Sequence, residues 1–326
     1  MKKYVPYILP FLALTVSLIL FLSSQSSEKS SQSAPQVLAM VKSVEIPDEI
    51  EFAGEKMDVT RYDLHERFDR EMNVFCYMHA STMLLFKRAN RYFPIIEPIL
   101  KANDIPEDFK YLAAIESNLS PRAMSPAKAV GIWQLMPETA SERSLEITDE
   151  VDERYSIEKS TEAACKYFRN AYRKYGSWVN VAVSYNAGMG RVSSELSNQQ
   201  SRSVVDLWLN EESSRYFFRI AAAKLIFESP LKYGFVITPE TLYKQIEFKD
   251  VTVASTVDDL AQFAKEQGIS YADLKEFNSW LRDRKLTVKP GKSYTLKIPA
   301  PESLTYKDHK IKVYDEKWLA NREDQK

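Results

Sequence analysis

Three short stretches put groups capable of acid-base or binding chemistry at the ends of otherwise apolar runs. In the first, Phe109, Leu112, Ala113 and Glu116 fall at i, i+3, i+4 and i+7, so Glu116 lies on the apolar stripe of a helix that Pro106 can open. Burying an ionised carboxylate is costly, and an acid in that place must either find a partner or keep its proton through a raised pKa. A glutamic acid still protonated near neutral pH is a general acid. The competing reading is a helix-end glutamate that turns to solvent after Ser117 or pairs with Arg122.

The second stretch, "SPRAMSPAKAVGIWQLMPETA", is a glycine-interrupted loop leading into a helix near Pro137, and it brings Trp133 and Gln134 side by side. Gly131 permits a tight backbone approach. Tryptophan faces stack on sugar rings, and a glutamine amide can both donate to and accept from hydroxyl or acetamido groups, so the pair suits a carbohydrate. Taken alone, Trp133 suits ordinary core packing as well. In the third stretch, "SWVNVAVSYNAGMGRV", Val179, Ala182 and Val183 form an apolar stripe whose next member is Asn186, and Gly188 and Gly190 end the helix. Tyr185 beside it offers a phenol for a scissile bond or, equally, a ring for packing.

The elements that must position these groups are mostly helices. From about residue 57 to about residue 235 apolar residues recur at helical spacing, with breaks expected at Pro94 and at the turn from Asn103 to Pro106. Residues 247–299 read instead as strand, two short helices, strand. Before the helical region, residues 23–56 read as a flexible tether that begins serine-rich; after the second domain, residues 300–326 read as a loose charged tail. Residues 1–22 carry two lysines and then a long apolar run over 4–22, an export signal or membrane anchor that could contact an inner membrane. The expected class is therefore mainly α, with a small βααβ domain at the C-terminal side, in an exported protein.

Composition narrows the function. A formal net charge of -1 offers no field for nucleic acid, so a neutral or mixed-charge partner fits better. The two cysteines, Cys76 and Cys165, cannot build a disulfide framework or a zinc site, and one bridge or two buried thiols both remain open. The three histidines are too scattered to suggest a metal cluster, and no metal or cofactor is expected.

Glu116-Ser117, Ser125, "GIWQLMPETA", "SYNAG" and a later helix with Tyr216 resemble, in order, the successive motifs of family 1 lytic transglycosylases, glycoside hydrolase family 23. The stretch "VDERYSIEKSTEAACKYFRNAYRKYGSW" further resembles the membrane-bound lytic murein transglycosylase D branch. Where the family usually has alanine before the tyrosine of "SYNAG", this chain has Ser184. The resemblance implies a lysozyme-like helical fold that cleaves the β-1,4 bond between N-acetylmuramic acid and N-acetylglucosamine in peptidoglycan glycan strands, without water, leaving a 1,6-anhydro sugar. It implies Glu116 as the one acid and base, Ser125 and Gln134 on acetamido or muramyl groups, Tyr185 and Asn186 lining the cleft, and Tyr216 orienting Glu116.

Residues 247–299 resemble a LysM module, with Leu260, Ala264, Gly268, Leu274, Asn278, Leu286, Gly291, Leu296 and Ile298 in its pattern and a degenerate "VASTVDD" at its entry loop. This implies a peptidoglycan-binding domain; a module that packs on the catalytic domain and binds little is the other reading. A goose-type lysozyme-like hydrolase and a non-catalytic peptidoglycan scaffold are the alternative functions. The expected location is the bacterial cell envelope, in the periplasm.

Overall fold

A computed structural model of the chain describes residues 42–307 and 311–319. The export signal or anchor expected over 1–22, and most of the tether after it, lie outside the described residues. Among the described residues no helix is long and apolar enough to cross a membrane.

The described residues from 44 on form one compact unit. It opens with a hairpin, β1 (Glu49–Phe52) and β2 (Glu55–Asp58), in antiparallel register from Glu49 opposite Asp58 to Phe52 opposite Glu55. Ala53 and Gly54, at φ 54° and 79°, make the two-residue turn that suits the strand twist. Folded structure thus starts earlier than residue 57. The reason is that Ile50 and Phe52 alternate onto one face and enter the core, Phe52 meeting Phe109 and Phe217 at ring distances of 5.3 and 5.7 Å.

Eight helices follow: α1 (Tyr62–Tyr77), α2 (His79–Ala102), α3 (Phe109–Ser117), α4 (Pro137–Glu142), α5 (Ile157–Tyr175), α6 (Trp178–Ala187), α7 (Met189–Asn198) and α8 (Glu211–Glu228). The ends are set locally. Ser156, Ser177 and Asn210 cap α5, α6 and α8, and Gly176 in a left-handed conformation ends α5. Glu55 of the hairpin reaches across to the amide of Trp178 and, at 2.8 Å, to the hydroxyl of Ser177, a carboxylate at the positive end of α6.

Helix α8 is the centre of the body. Tyr216, Phe217, Phe218, Ile220, Ala221, Ala222, Ala223, Ile226 and Phe227 are all buried, which makes it apolar nearly all round and lets α1, α3 and α6 pack on it. The break expected at Pro94 does not occur: α2 runs through both Pro94 and Pro98. Each proline removes one backbone bond, but Phe93, Ile96 and Leu100 are completely or nearly completely buried, and that packing outweighs the local loss.

The second domain has the expected strand, helix, helix, strand order: β3 (Phe248–Val253), α9 (Leu260–Glu266), α10 (Tyr271–Phe277) and β4 (Tyr294–Pro299), the two strands pairing antiparallel with Phe248 opposite Pro299. Leu260, Ala264, Leu274, Leu281, Leu286, Leu296 and Ile298 fill its own core. Residues 146–158 of the helical body clasp it. Asp152 donates its amide to the Trp280 carbonyl at 2.9 Å, Arg282 donates its amide to the Glu150 carbonyl at 2.8 Å, and the Arg282 guanidinium lies 4.2 Å from the centre of the Tyr155 ring.

The tail is not loose where it is described. Trp318 is only 2% exposed and sits against Phe86, Phe93 and Phe227 of the helical core. Asn90 fixes it from α2, donating to the carbonyl of Lys312 at 3.0 Å and accepting from the amide of Tyr314 at 2.7 Å. The charges of this segment mask two aromatic anchors. Cys76 and Cys165 are both free and buried, and burial pushes their thiols up to about 11 and about 12, so both stay protonated.

Candidate active site

Glu116 occupies the last turn of α3, on the stripe shared with buried Phe109, Leu112 and Ala113, and remains partly exposed at the open end of that stripe. Burial raises its pKa to about 7. The hydrogen bond from Tyr216 and the charge of Arg219 act the other way, and the charge of Glu212 adds to the rise. Tyr216, 2% exposed, donates its hydroxyl to Glu116 Oε1. Burial and the neighbouring carboxylate hold the Tyr216 phenol well above its ordinary pKa, so it keeps its proton and acts only as donor.

Ser117 ties the loop to the helix that carries the acid. Its Oγ donates to the Ile132 carbonyl at 2.8 Å, while Asn118 and Leu119, both at positive φ, turn the chain away. The loop between residues 121 and 136 is laced by short bridges from Met124 to Val130 and from Val130 to Leu135. Arg154 braces it from beneath: paired with Asp152 at 2.7 Å, it donates to the carbonyls of Lys128 and Leu135 at 3.1 and 3.2 Å. The tight approach expected at Gly131 is present, at φ 78°, where an added Cβ would lie 2.1 Å from the Arg154 carbonyl oxygen.

Trp133 does not offer a face to a sugar, which corrects the expectation for its ring. It is completely buried, its Nε1 donates to Thr161 Oγ1 at 2.7 Å, and its ring meets Phe168. What Trp133 contributes to the site is its backbone carbonyl, which accepts from the Tyr185 hydroxyl at 2.7 Å. Gln134 stands at φ 49° and donates Nε2 to the Gly131 carbonyl at 2.8 Å, which orients its amide oxygen. Ser125 lies on the outer turn of the loop, where its Oγ accepts from the amide of Ala129 at 3.0 Å. It is partly exposed.

From α6, Tyr185 leans on Tyr167 and Phe168, and the Glu116 charge together with burial raises its pKa well above the ordinary phenol value, burial being the larger cause. Asn186 donates to Glu212 Oε1 at 3.0 Å and accepts from the Ser213 hydroxyl at 2.8 Å, which links α6 to the first turn of α8. The structure thus joins Glu116 to Tyr216, Trp133 to Tyr185, and Asn186 to Glu212.

Four participants escape the sequence: Glu212, Arg219, Glu71 and Arg154. Glu71 of α1, 1% exposed, binds Arg215 at 2.8 Å and Arg219 at 3.1 Å on the α8 turns either side of Tyr216. A buried carboxylate shared by two arginines fixes the register of α8 and partly neutralises Arg219. Only the i, i+4 spacing of Arg215 and Arg219 was visible as a signal. Among the described residues no cluster of three or more histidine, cysteine, aspartate or glutamate side chains is placed to hold a metal ion.

Residues 93–206 match the Transglycosylase SLT domain, a span that contains Glu116, Ser125, Trp133, Gln134, Tyr185 and Asn186 and stops short of Tyr216. Residues 249–302 match the soluble lytic transglycosylase C-terminal LysM-like domain. Membrane-bound lytic murein transglycosylase D of Escherichia coli strain K12 is 28% identical over 233 residues, covering 70% of this chain and 50% of that protein. The protein of the same name from Escherichia coli O6:H1 matches to the same extent, so the chain spans about half the length of the curated relatives it matches. Among solved structures, the 70 kDa soluble lytic transglycosylase of Escherichia coli covers 40% of this chain and 23% of its own at 24% identity and a TM-score of 0.36. The complex of the 70 kDa soluble lytic transglycosylase with bulgecin A covers 51% and 30% at 20% identity and 0.39. The chain carries a transglycosylase SLT domain followed by a LysM-like domain of the soluble lytic transglycosylase type, and is homologous to Escherichia coli membrane-bound lytic murein transglycosylase D.

Proposed function

We propose that this chain is a lytic murein transglycosylase of the bacterial cell envelope, cleaving the β-1,4 bond between N-acetylmuramic acid and N-acetylglucosamine in peptidoglycan. The observation that carries the reading is the Glu116 carboxyl, raised to about 7 on an apolar helix end and held by the Tyr216 hydroxyl. A group with that pKa is poised to give and retake one proton near neutral pH.

In this reading protonated Glu116 donates to the glycosidic oxygen as the bond from C1 breaks. The substrate's acetamido oxygen then stabilises C1. Glu116, now a carboxylate, removes the proton of the C6 hydroxyl, whose oxygen attacks C1 and displaces the acetamido oxygen. The sugar closes as a 1,6-anhydro ring, Glu116 ends protonated as it began, and no water is consumed. The free oxygen of the Gln134 amide and the Asn186 side chain are the polar groups offered to the sugar, Tyr185 shapes the wall, and Ser125 holds the outer turn of the loop.

Glu212 supports a second reading. Its charge reaches Glu116, it is exposed, and a second carboxylate could activate a water as in a lysozyme-like hydrolase. Mass spectrometry of products from purified glycan strands separates the readings. Anhydro ends support the transglycosylase, reducing ends the hydrolase, and absence of cleavage a non-catalytic scaffold.

A further inference from the structure

A cavity of about 400 Å³ lies where the outer face of the β3–β4 sheet meets α2 and the start of α5, and none of Glu116, Gln134, Tyr185, Asn186 or Tyr216 lines it. The volume falls within the range of small-ligand pockets and suits one or two sugar rings. Its walls include Tyr92 from α2, Phe248 from β3, Phe277 from α10 and Trp280, each partly exposed. Trp280 is held flat on Tyr294 at 5.5 Å between ring centres, and Phe248 meets Phe277 edge-on at 5.2 Å. Rings so fixed present apolar surface without first having to be ordered.

The charges of the lining decide what class of ligand fits. Arg91, Lys159 and Lys297 face Glu158, Asp250 and Glu276, so the wall carries no net charge. Most are already committed: Lys297 pairs with Glu158, Lys159 with Glu153, and Glu276 with Arg122 at 3.2 Å, while Arg91 donates to the Lys244 carbonyl at 2.9 Å. Asp250, Gln245 and Ser293 also line the cavity, and no hydrogen bond or ion pair engages their side chains among the described residues. A carboxylate acceptor, an amide and a hydroxyl, set among aromatic rings in an electrically balanced wall, suit an uncharged, hydroxyl-rich and acetamido-bearing sugar. A carboxylate-bearing stem peptide would need surplus positive charge, which the lining does not provide.

We propose that this cavity is a second glycan site, taking uncharged N-acetylhexosamine units at the joint between the helical body and the LysM-like domain. The proposal rests on the reading that the chain acts on peptidoglycan, and it assigns glycan holding to the sheet face instead of the entry loop. That loop is engaged internally. Thr256 accepts from the amide of Val288 at 3.1 Å, and Val257 exchanges two backbone hydrogen bonds with Leu286 at 2.9 Å.

The test uses the full chain carrying Glu116→Gln, labelled with fluorotryptophan and titrated with chitotriose to millimolar concentration. Its five tryptophans include Trp280 in the cavity and Trp133 behind the Glu116 cleft, and Trp280→Phe assigns the first signal. The expected result is a saturable shift of the Trp280 signal that Thr295→Trp, which fills the cavity from β4, abolishes while the melting temperature is kept. An unmoved Trp280 signal, an equal shift with Thr295→Trp, or a shift produced by free stem peptide in place of chitotriose overturns the proposal. Product end groups from the unsubstituted chain judge the catalytic reading separately.

Discussion

The hydroxyl of Tyr216 on α8 donates to the carboxyl of Glu116 on α3 across 100 residues of sequence. The bond favours the carboxylate while burial favours the acid, and burial prevails, leaving the pKa at about 7.

Replacing Tyr216 by phenylalanine removes a hydrogen bond that favours the charged form of Glu116. The pKa of Glu116 then rises, and the alkaline limb of the pH profile of kcat/KM moves to higher pH. The rate at the optimum falls by about tenfold because the carboxyl loses its fixed orientation. A limb that stays in place, or moves to lower pH, would contradict the arrangement.

Glu116→Gln should abolish cleavage and alter stability in a pH-dependent way. The folded-state pKa, about 7, lies above the ordinary glutamate value of 4.5, so the fold holds its proton more tightly than the unfolded chain does. No penalty exists below the unfolded value; it grows as pH rises and is complete above about 7. The amide variant should match the parent in urea unfolding near pH 4 and exceed it near pH 8 by roughly 3 kcal/mol. Equal stability at both pH values would mean that the acid is not desolvated.

The stripe that carries Glu116 was legible because helical period alone puts an acid after Phe109, Leu112 and Ala113. The βααβ order was legible for the same reason, strand and helix periods alternating with turn residues between them. Trp133 was misread because residue type does not reveal which atom does the work: the ring is core, and the carbonyl holds Tyr185. Arg154, Glu71 and Glu212 act on partners distant in sequence, and no local pattern encodes such a contact. At Pro94 and in the tail, the aromatic core overrides what local propensity and charge favour.

Gly131→Ala should be severely destabilising. The new Cβ would meet the Arg154 carbonyl at 2.1 Å, and Arg154 cannot retreat easily because Asp152 and two loop carbonyls hold it. With the unfavourable φ added, the cost is expected to be about 3 kcal/mol or more, read as a drop in melting temperature with loss of cleavage. A change under about 0.5 kcal/mol would show that the loop can shift.

Trp318→Ala should cost about 3 to 5 kcal/mol, the usual range for emptying a buried aromatic site. Urea unfolding of the variant measures it directly. A loose tail would register almost nothing.

Some 225 residues of chain separate Phe93 from Trp318, the ring that covers it. At a synthesis pace of about 5 to 20 residues per second, that wall of the body stands open for roughly ten to fifty seconds in every nascent molecule. Through that interval the helical body has no finished interior to lock. The wall of Phe86, Phe93 and Phe227 closes only when the segment around Trp318 reaches it.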